Sequence, residues 1–490
     1  MSRIEEPRPQ LAIAPHALLL VLASFAASGC AALMYQVVWL EQLSLALGSS
    51  AISLGVLLAT FLGGLGAGSL LATRLPTAAR PLRRYALIEL LTAALGLATL
   101  ITIPLLGRLY VAWAGDLGFA LRLVVAPLAL LPATLLMGAT LPVVAARVGA
   151  GARGAARLGW LYAANTAGGV LGAIVAAFYL LRVHDANVAT WVAVALNLGV
   201  AAVAAALAGY DAAAPPDDVE PPAGSEQVRG VRAIYVATAL SGMTALAAEV
   251  LWTRHLSLLL GGTVYTFALI LAVMLLGIGL GSAAGAAAGK RTDPRIAFAS
   301  CQALLAVAMA AAAYVMARSL PFWPIDVALP TTAAAALQLD LLRVAYVVLP
   351  AALLWGASFP LALAAATRAG EEPPVAVGRL YAANTAGAIV GALATTFVLV
   401  TVVGSQRAQQ LMILASAAAA VLLLLARYRG FESRGLQRAA VAATAFAVAA
   451  IAVPALPPEL VAYGRFLPTR GRDANVVYVG EGVTASIAVT

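Results

Sequence analysis

The sequence predicts an all-α polytopic membrane protein made of two parallel six-helix repeats, one extra C-terminal helix and the start of a β-hairpin. Three observations carry this expectation. Apolar residues make up 63% of the 490-residue chain and charged residues 10%, against roughly 25% charged in an average soluble domain, so there is too little polar surface to coat a water-soluble body of this size. Apolar runs of about 20 residues, long enough to cross ~30 Å of hydrocarbon as a helix, recur along the chain. The second half also repeats the first.

A tail at 1–16 precedes the first repeat, 17–210, whose spans fall at 17–40, 47–72, 85–106, 119–145, 158–181 and 187–209. A linker at 211–231, polar and rich in proline (Pro215, Pro216, Pro221, Pro222), joins it to the second repeat at 232–430. There the spans are 233–253, 262–289, 296–318, 341–366, 378–402 and 408–426. A thirteenth run covers 437–456, and within 457–490 apolar residues alternate around Gly480-Glu481-Gly482, a hairpin pattern.

The net charge is +9 and the pI about 9.8. In a soluble protein that balance raises the question of nucleic acid. Here the arginines sit in short loops between apolar runs, so the charge is read as orienting helices in a bilayer, and no nucleic-acid partner is expected. With the N-terminus in the cytoplasm, the clusters Arg80, Arg83, Arg84, then Arg147, Arg153, Arg157, then Lys290, Arg291, Arg295, then Arg427, Arg429, Arg434 fall inside. The other side holds single residues such as Arg108, Arg182 and Arg318. Cys30 and Cys301 both lie in apolar runs, and two cysteines make no disulfide framework or metal site.

The repeat is written in the residues. Ser28-Gly29, Trp39, Gly64, Gly66 and Gly68-Ser69 recur as Ser241-Gly242, Trp252, Gly277, Gly279 and Gly281-Ser282. The run Leu161-Tyr162-Ala163-Ala164-Asn165-Thr166-Ala167-Gly168 returns unchanged as Leu380-Tyr381-Ala382-Ala383-Asn384-Thr385-Ala386-Gly387. Six spans separate corresponding helices, an even number, so both copies cross in the same sense. That is a parallel repeat about an axis along the membrane normal, the arrangement of major facilitator transporters.

Small-xxx-small glycines (Gly64 and Gly68, Gly168 and Gly172, Gly277 and Gly281, Gly387 and Gly391) let helix backbones approach closely. Tight packing is the plain reading of them, and a sliding surface for alternating access is the functional one. Pro132, Pro142, Pro350 and Pro360 are expected to bend the fourth and tenth helices and free carbonyls to line a cavity.

Ionisable groups inside spans are expensive and therefore candidates for function. Glu89 lies in the third helix, with Gln302 at the equivalent place. Glu249 lies in the seventh, where the first half has Gln36. Arg254 ends that helix opposite Glu41, an interfacial ion pair or headgroup anchor on the plain reading. Tyr162, Asn165 and Thr166, and Tyr381, Asn384 and Thr385, share one face of their helices by the i, i+3, i+4 rule. Each set reads either as interhelical hydrogen bonding or as half of a pseudo-symmetric substrate site. Trp39 and Trp252 add cation–π faces. No catalytic constellation is present: the chain lacks a Walker-type loop, metal-ligand spacing and a nucleophile elbow, and no cofactor is expected.

The Trp39 and Trp252 blocks, the glycine-serine ends of the second and eighth helices and the doubled Tyr-Ala-Ala-Asn-Thr-Ala-Gly resemble the membrane part of bacterial fused major-facilitator/spermidine-synthase proteins, over roughly 17–490. The resemblance implies a bacterial inner membrane, a small cationic ligand related to polyamines, and a spermidine-synthase-like domain, appended or separate, of which 475–489 resembles the opening hairpin. Its cofactor loop and catalytic acid would lie beyond Thr490, so no catalytic residue is carried over. The loop after the second helix lacks the Asp-Arg signature common in major facilitators, and a thirteenth span would place the hairpin outside the cytoplasm. Two functions follow as expectations. One is a transporter-like module with Glu89, Glu249, Gln36, Tyr162, Asn165, Thr166, Tyr381, Asn384, Thr385, Trp39 and Trp252 at its site. The other is an anchor for an aminopropyltransferase-like domain.

Overall fold

The structure is a computed structural model that describes residues 15–47, 50–74, 80–113, 118–148, 151–210, 230–323, 332–371, 373–427, 450–467 and 475–490. Six long helices form the first half: α1 (Pro15–Leu47), α2 (Ser50–Arg74), α3 (Pro81–Trp113), α4 (Gly118–Val148), α5 (Gly151–Val175) and α6 (Ala186–Leu207). Six more form the second half: α7 (Val231–Leu260), α8 (Val264–Arg291), α9 (Pro294–Arg318), α10 (Ala333–Arg368), α11 (Pro373–Ala394) and α12 (Gly404–Arg427). A short α13 (Pro458–Tyr463) and the strands β1 (Tyr478–Glu481) and β2 (Ser486–Val489) follow. The strands pair antiparallel, Tyr478 opposite Val489 and Glu481 opposite Ser486.

Of the thirteenth span expected at 437–456, residues 437–449 lie outside the described residues, and 453–456 are not helical. The linker 211–231 is likewise undescribed up to Arg229. The prolines do not interrupt their helices. α4 runs unbroken through Pro132 and Pro142, and α10 through Pro350 and Pro360.

Several helices start where their first turn finds an acceptor. Asp185 caps α6 by accepting from Val188 N at 2.8 Å, and Asp293 caps α9 with Pro294 as first helical residue, accepting from Arg295 N at 2.9 Å. Gly261 and Gly404, at φ +106° and +84°, make the turns that end α7 and open α12, a backbone region closed to most side chains.

The halves pack alike. α1 lies on α5, α2 on α4, and α3 on α4 and α6; in the second half α7 lies on α11, α8 on α10, and α9 on α10 and α12. The reason is glycine. A Cβ added to Gly168 of α5 would stand 1.9 Å from the Ala26 carbonyl oxygen of α1, and one on Gly387 of α11 the same 1.9 Å from the Ala239 oxygen of α7. Gly68 meets the Leu135 oxygen of α4 and Gly281 the Leu353 oxygen of α10, again at 1.9 Å. One backbone-on-backbone contact is thus made four times, twice in each half.

The halves meet through α2 with α11 and α5 with α8. At the end where α1 finishes, here called the distal end, one apolar cluster crosses the seam: Leu43, Leu47, Ile52 and Leu54 pack with Val250, Phe267, Leu271 and Ala392. At the opposite end, the N-face, the clusters stay apart. Val21, Phe25, Tyr85, Val144 and Leu161 belong to the first half, and Ile234, Phe298, Leu361, Leu380 and Leu423 to the second. Among the described residues, the halves are joined at the distal end and part towards the N-face. Large apolar side chains such as Leu19, Ile101, Leu128, Tyr314 and Val402 cover the outside, as a surface against lipid requires.

Candidate functional site

The carboxylate of Glu89 is buried inside the first half, held by α1 and α6. Its Oε1 accepts from Ser28 Oγ at 2.7 Å and its Oε2 from Asn197 Nδ2 at 2.5 Å. Desolvating a carboxylate is costly unless its lone pairs are used, and here both oxygens are. In the second half Gln302 donates to Ser358 Oγ at 2.9 Å, and its Oε1 has no partner. Trp39 and Trp252 are also inside the bundles. Trp39 donates from Nε1 to Thr99 Oγ1 at 3.0 Å and stacks on Tyr35, and Trp252 packs on Trp355 with ring centroids 5.6 Å apart. Gln36 and Glu249 are buried on α1 and α7, and Oε1 of Glu249 has no hydrogen-bond partner.

The doubled motif divides by residue. Asn165 donates from Nδ2 to the Phe25 carbonyl of α1 at 3.1 Å, beside the close approach at Gly29, so it ties α5 to α1. Asn384 takes the equivalent place against Gly242 of α7. Tyr162 is different: it is 47% exposed, and it follows Leu161 of the first half's N-face cluster as Tyr381 follows Leu380 of the second half's. Thr166 and Thr385 lie on the seam itself, their methyl carbons facing Gly279 of α8 and Gly66 of α2. The structure therefore places Thr166 and Thr385 on the seam between the halves and keeps Glu89, Trp39 and Trp252 within them.

Sequence reasoning missed the distal closure. Both α5 and α11 pass into π-helical turns, Ala176–Leu180 and Thr395–Val403, at this end. Phe178 meets Tyr265 there with centroids 5.5 Å apart, and Thr396 fills the space left by Gly55. The β-hairpin sits on this end. Arg254 donates from Nη2 to the Gly482 carbonyl at 2.7 Å and to Ser486 Oγ at 3.0 Å, while Glu481 accepts from Ser405 N and Oγ, both at 2.6 Å. The partner of Arg254 is thus the hairpin, and Glu41 keeps an oxygen, Oε2, without one. No local sequence signal marks the π turns. Of the two readings for Glu41 and Arg254, the ion pair is not formed, and Arg254 bonds the hairpin instead.

Helices long and apolar enough to span a bilayer, repeated as two six-helix halves around one seam, define a multi-pass membrane protein of major-facilitator-like architecture. No family model and no curated protein sequence matches the chain. Solved structures similar to it include the Escherichia coli fucose:proton symporter FucP, at 14% identity over 85% of this chain and 99% of that one, with a TM-score of 0.46. The human organic anion transporter MFSD10 (TETRAN) is similar at 13% identity over 83% and 98%, TM-score 0.48. A bacterial homolog of the human lysosomal transporter Spinster, inward-facing and unoccupied, is similar at 13% identity over 89% and 97%, TM-score 0.47.

Proposed function

We propose that this chain moves a small cationic metabolite of the polyamine kind across a bacterial cytoplasmic membrane by alternating access, with the N-face in the cytoplasm. The observation that carries the reading is the unequal seam, packed at the distal end and parted at the N-face where Tyr162 and Tyr381 stand. An arrangement of two halves with one end closed is one of the two states that rocking around a fixed site requires. The clustering of Arg80, Arg83, Arg84, Lys290, Arg291 and Arg295 at the N-face supports the orientation. Half-buried Glu41 and buried Glu249, each with one buried oxygen that has no partner, support a cation over an anion, because hydrogen-bond acceptors without donors favour a ligand that brings donors.

Uptake of labelled diamines and triamines into proteoliposomes tests the reading. Saturable uptake that falls when Glu249→Gln is introduced is the expected result. Uptake no greater than in protein-free vesicles for every amine contradicts it. The docked hairpin favours a second reading, in which the helices carry a spermidine-synthase-like domain and transport nothing; polyamine synthase activity of the full gene product without uptake would select it.

A further inference from the structure

The sixth helix of each half begins at the distal end, and the two begin differently. α6 is capped from within by Asp185, which accepts from Val188 N at 2.8 Å. α12 opens on Gly404 and Ser405, and its acceptor comes from 76 residues further along the chain. Glu481 of the hairpin takes the Ser405 N–H and the Ser405 hydroxyl, both at 2.6 Å. A carboxylate in this place satisfies an amide that has no partner within the helix, and it faces the positive end of the helix dipole.

The other attachments of the C-terminal segment run to the same half. Arg254 of α7 donates to the Gly482 carbonyl and to Ser486 Oγ. Gln406 of α12 donates from Nε2 to the Val453 carbonyl at 2.9 Å, and Ala450 and Val453 belong to the apolar cluster of Trp252 and Met412. Gly464 lies so close to α7 that an added Cβ would stand 2.6 Å from the Leu258 carbonyl oxygen. A two-stranded hairpin is marginal by itself, so these bonds hold its shape as well as its place. The turn, however, extends over the seam. Val483 packs against the apolar cluster that crosses between the halves. From Val483 to Ser486 the turn lines a half-open cleft of about 490 Å³, together with Leu40, Ser44 and Leu54 of the first half and Val250 and Phe267 of the second.

We propose that the hairpin is a strap that moves with the second half and holds the distal end shut, with Glu481 as its anchor on α12 and Val483 as the tip that rests on the seam. Distal opening then separates Val483 from the seam cluster while the bonds to Arg254 and Ser405 stay made. The strap goes beyond the transport reading and does not rest on it, because closure of the distal end is read without any substrate.

The test uses the purified full chain in nanodiscs, with Cys30 and Cys301 replaced by Ala and a single reporter cysteine. Leu54→Cys reports the distal end, where Leu54 is buried in the first-half wall of the cleft, and Gly378→Cys, at an exposed position early in α11, reports the N-face. The rate of modification by a charged maleimide is read at each. Glu481→Ala raises the Leu54→Cys rate by about tenfold or more, the range for losing hydrogen bonds to a charged group. Val483→Ser leaves every anchor in place and raises it by about fivefold, as losing the apolar contact of a half-buried valine does. The Gly378→Cys rate rises in neither. A Leu54→Cys rate left unchanged by either variant, or an N-face rate that rises in step with the distal one, overturns the strap. Should Glu481→Ala fail to purify, Val483→Ser alone decides. Amine uptake in proteoliposomes with unchanged distal rates keeps the transport reading and removes the strap; raised distal rates without uptake of any amine do the reverse.

Discussion

Glycines hold this molecule together in two different ways, and the contrast separates what is rigid from what can move. Inside each half, Gly68, Gly168, Gly281 and Gly387 press against carbonyl oxygens of the neighbouring helix, backbone on backbone. Between the halves, Gly55, Gly63, Gly66 and Gly279 face side chains instead: Thr396, Ile389, Thr385 and Thr166. A backbone cannot step aside, whereas a threonine or isoleucine side chain can change rotamer. The first kind makes each half a body, and under the proposed transport the second would let the bodies shift on the seam. Gly68, Gly168, Gly281 and Gly387 of the small-xxx-small pairs thus pack tightly within the halves, and under the proposed transport a sliding surface would fall to other glycines on the same helices.

The largest effect expected from this contrast is at Gly387. Overpacking a core costs about 1–3 kcal/mol where neighbours can relax, and the Ala239 carbonyl has little room to do so. Gly387→Ala lowers the melting temperature in detergent, and Gly387→Leu removes the monodisperse peak on size exclusion. A well-folded Gly387→Leu would break the comparison at its root.

Next comes Glu89, which ties α3 to α1 and α6. Glu89→Leu leaves Ser28 Oγ and Asn197 Nδ2 without their acceptor and costs about 1–3 kcal/mol in denaturation experiments. Gln302→Leu costs less, because Ser358 Oγ still donates to the Leu354 carbonyl.

On the seam, Gly66→Ala brings a methyl group 2.7 Å from Cγ2 of Thr385, where Gly279→Ala meets nothing closer than 3.7 Å. Gly66→Ala therefore slows uptake by about tenfold, equivalent to ~1.4 kcal/mol, with little loss of thermal stability, and Gly279→Ala changes neither. If Gly66→Ala instead melts early with uptake per folded molecule unchanged, the seam is glue like the rest.

Asn165→Leu has the smallest effect among the changes expected to have one. An interhelical hydrogen bond in a membrane averages about 0.6 kcal/mol, so the variant purifies normally with a barely lowered melting curve.

Much of this was legible in the sequence. A span announces itself by the length of its apolar run, and the octapeptide from Leu161 to Gly168, returned at Leu380 to Gly387, declares the repeat and the helices that pack alike. The direction a residue faces was not legible. Gly64 meets Thr134 of α4 while its neighbour Gly63 meets Ile389 of α11, and one residue is a turn of about 100° on a helix at 3.6 residues per turn. Helix rotation is set by packing partners far away in sequence. The same holds for Glu89, whose partners Ser28 and Asn197 sit on other helices. Its cost in the membrane marked it as special, but cost alone does not distinguish a ligand group from a satisfied core group.

Pulsed electron paramagnetic resonance distances on the reconstituted chain test most directly whether two rigid halves move on one seam. Spin labels at Arg83 and Arg295 report the N-face, at Arg108 and Arg318 the distal end, and at Arg108 and Arg182 one half alone. Addition of excess diamine should shorten the N-face distance and lengthen the distal one while the distance within the half stays fixed. A change within the half as large as those across the seam, or N-face and distal distances that move in the same direction, would contradict it.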